Sequence, residues 1–253
     1  MTNSDKTLKE ILSALAEGTG TAVGGVVGSC IGGNFGLVYG SFFGAVLSKT
    51  LTDFSNRQLS HREEIRVGTT TLTTLEKIES KLKRGELPRN DGFFTVSDNC
   101  RSEADEIFEA TLFKAKIEVE ERKLPYLSNA FTNIAFRSDI SPPTAHIILK
   151  IAEELTYRQI CFLALVQSCG TIDVENLRRG THSVPDLVSL RREEMSLHDT
   201  DLGTMGLMGG GPWTDELTDL GILLAEVLGL DEFPGDELRS LEELIKSCHF
   251  SSS

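Results

Sequence analysis

The stretch GTGTAVGGVVGSCIGGNFGLVYGSFFGAVLS, residues 18–48, carries no charged side chain and sets Gly20, Gly24, Gly28, Gly32, Gly36, Gly40 and Gly44 four residues apart without a break. Four-residue spacing puts all seven on one helical face, where the missing Cβ atoms leave a groove for the close approach of a second helix backbone. Glycine costs about 1 kcal/mol relative to alanine in a water-exposed helix, so the ten glycines of this window would melt an isolated soluble segment. Two environments offset that cost: a bilayer, where an unpaired amide is more costly than glycine's entropy, or a tightly packed helical assembly.

Between the glycines stand Val27, Ile31, Phe35, Leu37, Val38, Phe42 and Phe43, which are expected to face lipid. As one helix the window would be about 46 Å long, enough to span a hydrocarbon core of roughly 30 Å while tilted. A hairpin broken at Gly32-Gly33-Asn34 is the alternative, with arms of about 21 Å that span poorly. A flexible linker has no reason to keep period four or to carry so many large apolar residues. Ahead of the run, Asp5, Lys6, Lys9, Glu10 and Glu17 do not make a secretory signal. Residues 1–17 read instead as an amphipathic lead helix, with Leu8, Ile11, Leu12 and Leu15 on one stripe.

The chain has 253 residues and a net charge of -13, unevenly spread. From Asp186 to Glu243 fifteen acidic residues face three basic ones, Arg191, Arg192 and Arg239. Such a region repels phosphate backbones, so nucleic acid is disfavoured as a partner. Five cysteines, odd in number and without metal-like spacing, fit a reducing compartment. The expected location is cytoplasmic, with insertion into or association with the inner membrane.

Beyond the window the pattern is helical, and the fold class expected is mainly α. Three parts follow: 1–50, an amphipathic lead plus glycine-zipper segment; 51–143, a helical stalk or bundle; and 144–253, an acidic domain. In the middle part, 51–83 reads as a stalk helix with Val67, Leu72, Leu75, Ile78 and Leu82 on its apolar side. Leu87 to Gly92 is a turn, Ser97 or Asp98 an N-cap for a helix through Glu121, and Leu124-Pro125 the start of a helix to Phe136. The carboxylates Glu103, Asp105, Glu106 and Glu109 suit the positive end of that helix dipole better than a metal.

In the last part, helices over 145–155 and 157–168 precede a helical stretch over 187–207, a Gly209-Gly210-Gly211-Pro212 turn, and the segment from Leu217 to Leu224. With Leu155-Thr156-Tyr157-Arg158-Gln159 and the Leu217-Thr218-Asp219-Leu220-Gly221 step, this order resembles a winged helix. The resemblance implies a recognition helix, but Arg191 and Arg192 are followed at once by Glu193 and Glu194, which favours protein docking over DNA reading. Arg191, Arg192 and Trp213 are the candidate partner surface. His198-Asp199, beside Gly203, Gly206 and Gly209, reads as a glycine-rich loop.

The whole layout of zipper helix, helical middle and winged-helix-like end resembles the Abi-alpha type of bacterial abortive-infection protein. That resemblance implies a phage-defence role in which the cell membrane is damaged or depolarised once infection is sensed, with protomers packing through Gly20 to Gly44 into a homo-oligomer and a sensor protein as a further partner. No catalytic motif is present: the five histidines are far apart, and none stands in a zinc-protease, redox or nucleophile-elbow setting. No cofactor, no metal and no enzymatic activity is expected. Beside the membrane-disrupting effector stand two other classes, a membrane-anchored adaptor without pore activity and a winged-helix DNA-binding regulator.

Overall fold

The computed structural model describes residues 56–96, 101–173, 187–211 and 214–247, together with positions 43, 46, 49–51, 53 and 54. The lead helix, the seven zipper glycines, six of the seven lipid-facing candidates (Val27, Ile31, Phe35, Leu37, Val38 and Phe42) and Trp213 lie outside the described residues. What is described is mainly helical and falls into two compact units, 1–154 and 155–253. This division falls after Glu154, whereas the parts expected from sequence were 51–143 and 144–253.

In the first unit, helix α1 (His61–Lys83) begins where Ser60 and Glu63 form a capping box, the Ser60 Oγ accepting from the Glu63 N–H and the Glu63 carboxylate from the Ser60 N–H at 2.7 Å. This local signal splits the single stalk expected over 51–83. The described positions from 43 to 54 are helical, residues 56–60 turn, and α1 starts afresh. Helix α2 (Glu103–Ile117) repeats the device with Ser102 and Asp105, and stops at Ile117 because Glu118 takes an extended backbone. Helix α3 (Leu124–Phe136) starts on Pro125, whose missing N–H is harmless in a first turn. Helix α4 (Pro142–Glu154) packs on α2 and α3 and so belongs with the first unit.

Small hydroxyl residues fill the seam between α1 and α3. Thr70, Thr71 and Thr74 are buried, Thr71 and Thr74 return their hydroxyl protons to the carbonyls one turn back at 2.8 Å, and Ser128 donates to the Thr70 carbonyl at 3.0 Å. The threonines are thus a packing face of α1, and of the three only the Thr70 hydroxyl is buried without a partner. Phe108 and Phe131, both fully buried with ring centroids 4.8 Å apart, join α2 to α3. Burial of each contributes about 1.5–3 kcal/mol.

In the second unit, helix α5 (Tyr157–Cys169) opens on a third capping box, Thr156 with Gln159, and closes at Gly170, whose φ of 77° suits glycine. Strand β1 (Ile172–Asp173), helix α6 (Leu187–Thr204), strands β2 (Met208–Gly209) and β3 (Thr214–Leu217), and helices α7 (Asp219–Leu228) and α8 (Gly235–Ser247) follow. The strands form an antiparallel sheet in the order β1-β3-β2, with Ile172 opposite Asp215 and Met208 opposite Leu217. The Leu217 to Gly221 step is a tight junction. The Thr218 N–H donates to the Leu207 carbonyl, its hydroxyl donates to the Gly206 carbonyl at 2.6 Å, and a Cβ at Gly221 would lie 2.0 Å from the Leu207 oxygen.

Candidate functional site

The described part of the uncharged window ends inside the first unit. Phe43 and Val46 are buried, and with Thr50, Leu51 and Phe54 they make a helical stripe that is out of water along its length, while Lys49 and Asp53 face solvent. Phe43 is stacked on Phe136 at a centroid distance of 5.8 Å and 16° between planes, and meets the edge of Phe94 at 5.2 Å. Phe43 was expected to face lipid; here it faces protein, because two rings, Phe94 and Phe136, offer it an apolar seat away from water.

Arg89 holds that seat in shape. Arg89, buried, donates through Nη1 to the Ile140 carbonyl at 2.8 Å and through Nε to Asp91 at 2.9 Å, and its guanidinium lies 4.5 Å from the centroid of Phe93. It therefore ties the loop that carries Phe93 and Phe94 to the end of α3 and the turn beyond it. The same guanidinium holds the Asp91 carboxyl below its ordinary range. Phe94 also lines an open cleft of about 300 Å³ with Leu87, Pro88 and Asn90, in which Arg89 is the cation and is already engaged.

Further along, Phe54 is buried edge-on to Phe113 at 5.1 Å, and Arg57 spans both rings at 4.8 and 4.5 Å. Arg57 also bonds Glu109 at 2.9 Å, and the other oxygen of Glu109 accepts from Arg101. The Glu109 carboxylate raises the Arg101 guanidinium above its ordinary value. Cation–π contact of this exposed kind contributes about 0.5–1 kcal/mol, and the charged hydrogen bonds about as much again. Glu109 and Asp105, weighed from sequence as metal ligands, are thus committed to an arginine pair and to a helix cap.

In the second unit, Arg191 and Arg192 lie within α6, their side chains outside the described residues. His198 and Asp199 fell under both the helical stretch over 187–207 and a glycine-rich loop; they lie in the helix. Asp199 is buried and the His198 Nε2 stands 3.8 Å from Glu194 one turn earlier. No helix among the described residues is long and apolar enough to cross a membrane. Among the described residues no group of three metal-ligating side chains gathers. No family model, no curated protein and no solved structure matches the chain.

Sequence reasoning missed the seat itself. Phe94, Glu109 and Phe136 are unremarkable by spacing, and only the tertiary fold brings them to residues 43–57. One signal was legible: an apolar stripe continuing past Ser48 through Leu51 and Phe54 has no use in lipid and needs a protein partner.

Proposed function

We propose that the chain is a membrane-targeting, self-assembling effector that permeabilises or depolarises the bacterial inner membrane in abortive-infection defence against phage. The observation that carries this reading is the charge-free register from Gly20 to Gly44. Seven aligned glycines provide one close-packing face, which can serve a second copy of the same segment as well as the chain's own body. The seat around Phe43 supports the restraining half of the mechanism, since it gives the body a grip on the last residues of the window. A trigger then has to overcome only that grip, a difference of a few kcal/mol between held and inserted states. Lipid, further copies of the chain and a sensor protein are the partners of this reading; it needs no cofactor and no catalysis.

The second unit is read as winged-helix-like. Supporting that are the order helix, strand, helix, strand, strand and the central place of β3 in the sheet. On α6, in the position of a recognition helix, Glu193, Glu194 and Asp201 are exposed, which disfavours duplex phosphates and favours a basic protein partner. This observation keeps the anchored adaptor as the second reading.

The test is dye leakage from liposomes, with membrane flotation alongside, for the wild-type chain and for Gly32→Leu. Leakage lost in the variant with flotation retained is the expected result. Flotation without leakage from either protein, under every trigger applied, would move the assignment to the adaptor.

A further inference from the structure

Phe43 and Lys81 meet on one ring. Phe43 is stacked on Phe136 at 5.8 Å, and the Lys81 ammonium lies 5.4 Å from the centroid of the same Phe136 ring. On one straight helix, at 1.5 Å per residue, positions 43 and 81 would stand about 57 Å apart. The chain therefore doubles back between them, at the turn over 56–60.

Nothing in the sequence of that turn obliges it to bend. Asn56, Arg57, Gln58, Leu59 and Ser60 include no glycine and no proline, and neither occurs between Gly44 and Gly68. Arginine, glutamine and leucine are good helix formers. Ser60 has a φ of -67°, already the helical value, and only its ψ of 158° departs from helix. Positions 56, 57, 58 and 60 are exposed, so a rotation there meets solvent. The bend is held by contacts of side chains: the Ser60–Glu63 capping box, the Arg57–Glu109 ion pair at 2.9 Å, Phe54 on Phe113, and Phe43 in its aromatic seat. The capping box competes with helix without forbidding it. In a continuous helix the Ser60 and Glu63 N–H groups that it serves would meet the carbonyls of residues 56 and 59 instead.

We infer that positions 56–60 are a two-state hinge, folded back while the body holds residues 43–54 and helical once it lets go, so that α1 then runs through the turn as one helix over 43–83. That helix, about 60 Å long, carries the uncharged window clear of the body. The hinge rests on the membrane-directed reading above for the purpose of this movement, and adds to it the means of delivery.

One substitution separates the two states. His61 is the first residue of α1, where its N–H has no carbonyl to meet inside the helix, and Ser60 before it has the extended backbone preferred ahead of proline. His61→Pro therefore suits the folded-back state, whereas in a helix running through position 61 it removes a hydrogen bond and clashes with the carbonyl of residue 57. Spin-labelled noncanonical residues in place of Asp53 and Glu76, both exposed, read the geometry of the full-length chain by double electron–electron resonance. In lipid-free buffer the otherwise wild-type chain and His61→Pro should both give a short distance, about 20 Å or less for helices lying side by side. Phe43→Ala with Phe54→Ala, in dodecyl maltoside micelles that cover the freed stripe, should add a sharp population near 35 Å, about the rise of a straight helix from 53 to 76. His61→Pro in that chain should reduce the population at least tenfold, roughly the least effect of proline inside a helix. Should the double variant lose hydrogen-exchange protection in the middle of α3, Phe43→Ala alone takes its place. Absence of the longer distance, a broad distribution instead of it, or a population that His61→Pro leaves intact overturns the hinge. A longer distance in micelles from a chain whose wild-type form neither floats with vesicles nor leaks dye supports the hinge and removes the membrane-directed reading.

Discussion

Replacing Phe43 with alanine should loosen the hold on the apolar segment without unfolding the body. The ring is fully buried, stacked on Phe136 at 5.8 Å and edge-on to Phe94 at 5.2 Å. Removal of a buried Phe side chain costs about 3–5 kcal/mol, of which each aromatic pair accounts for about 0.5–1.5 kcal/mol. At 1.4 kcal/mol per tenfold, the opening equilibrium of residues 43–54 shifts by about two to four orders of magnitude. Amide hydrogen exchange read by mass spectrometry in lipid-free buffer reports it directly. Peptides over 43–54 should exchange faster, up to the ceiling set by global unfolding, while peptides from the middle of α1 and α3 keep their protection. Phe43→Leu, which retains most of the apolar area, should give only a small change. Equal loss of protection over 43–54, α1 and α3 would refute the reasoning, because Phe43 would then belong to one cooperative core and not to a contact that can open by itself.

Three further outcomes are expected. Glu109→Gln removes the carboxylate shared by Arg57 and Arg101 and should lower the stability of the first unit by about 1–2 kcal/mol, more in low salt than in high; thermal melts at two ionic strengths that differ from wild type equally would count against the ion pairs. Gly221→Ala drives a methyl group against the Leu207 carbonyl and should cost about 1–3 kcal/mol in the second unit alone, read as a lower urea midpoint for peptides of α7 with α3 unchanged. Ser60 backbone and side-chain donors hold the Glu63 carboxyl, and arginine partners hold those of Asp91 and Asp139, below their ordinary values. The unfolded chain thus binds these protons more readily, so their contribution is complete above about pH 4 to 5 and fades as pH falls through the depressed values; a midpoint that rises between about pH 5 and 3 would contradict this.

What could be read from sequence was what local chemistry decides. Helix α3 was legible because Leu124-Pro125 and the spacing of Leu127, Phe131 and Ile134 act within a few residues. The two steps that carried the winged-helix resemblance turned out to have local reasons of their own: Thr156 and Gln159 cap α5, and Thr218 and Gly221 make a contact too close for any Cβ. The break at 56–60 was missed although Ser60 and Glu63 encode it, since a capping box inside an otherwise helical pattern looks like one more polar face. For His198-Asp199 the periodicity over 187–207 and the glycines at 203, 206 and 209 pointed different ways, and the helix won, since α6 runs on to Thr204. The aromatic seat was beyond reach for a different reason: Phe94 and Phe136 come to Phe43 through tertiary packing, which leaves no mark in spacing.

The order of these residues along the chain sets a schedule. Phe43 leaves the ribosome long before the rings that will receive it, and Phe136 is the last of them. At about 5–20 residues per second, that interval lasts roughly 5–20 s. For its duration the seat is incomplete, because Phe94 is made about halfway through and Phe136 only at the end. Under the membrane-directed function proposed above, the choice between storage and delivery to a bilayer would fall in this interval, and slowing translation between codons 50 and 136 should then favour the lipid.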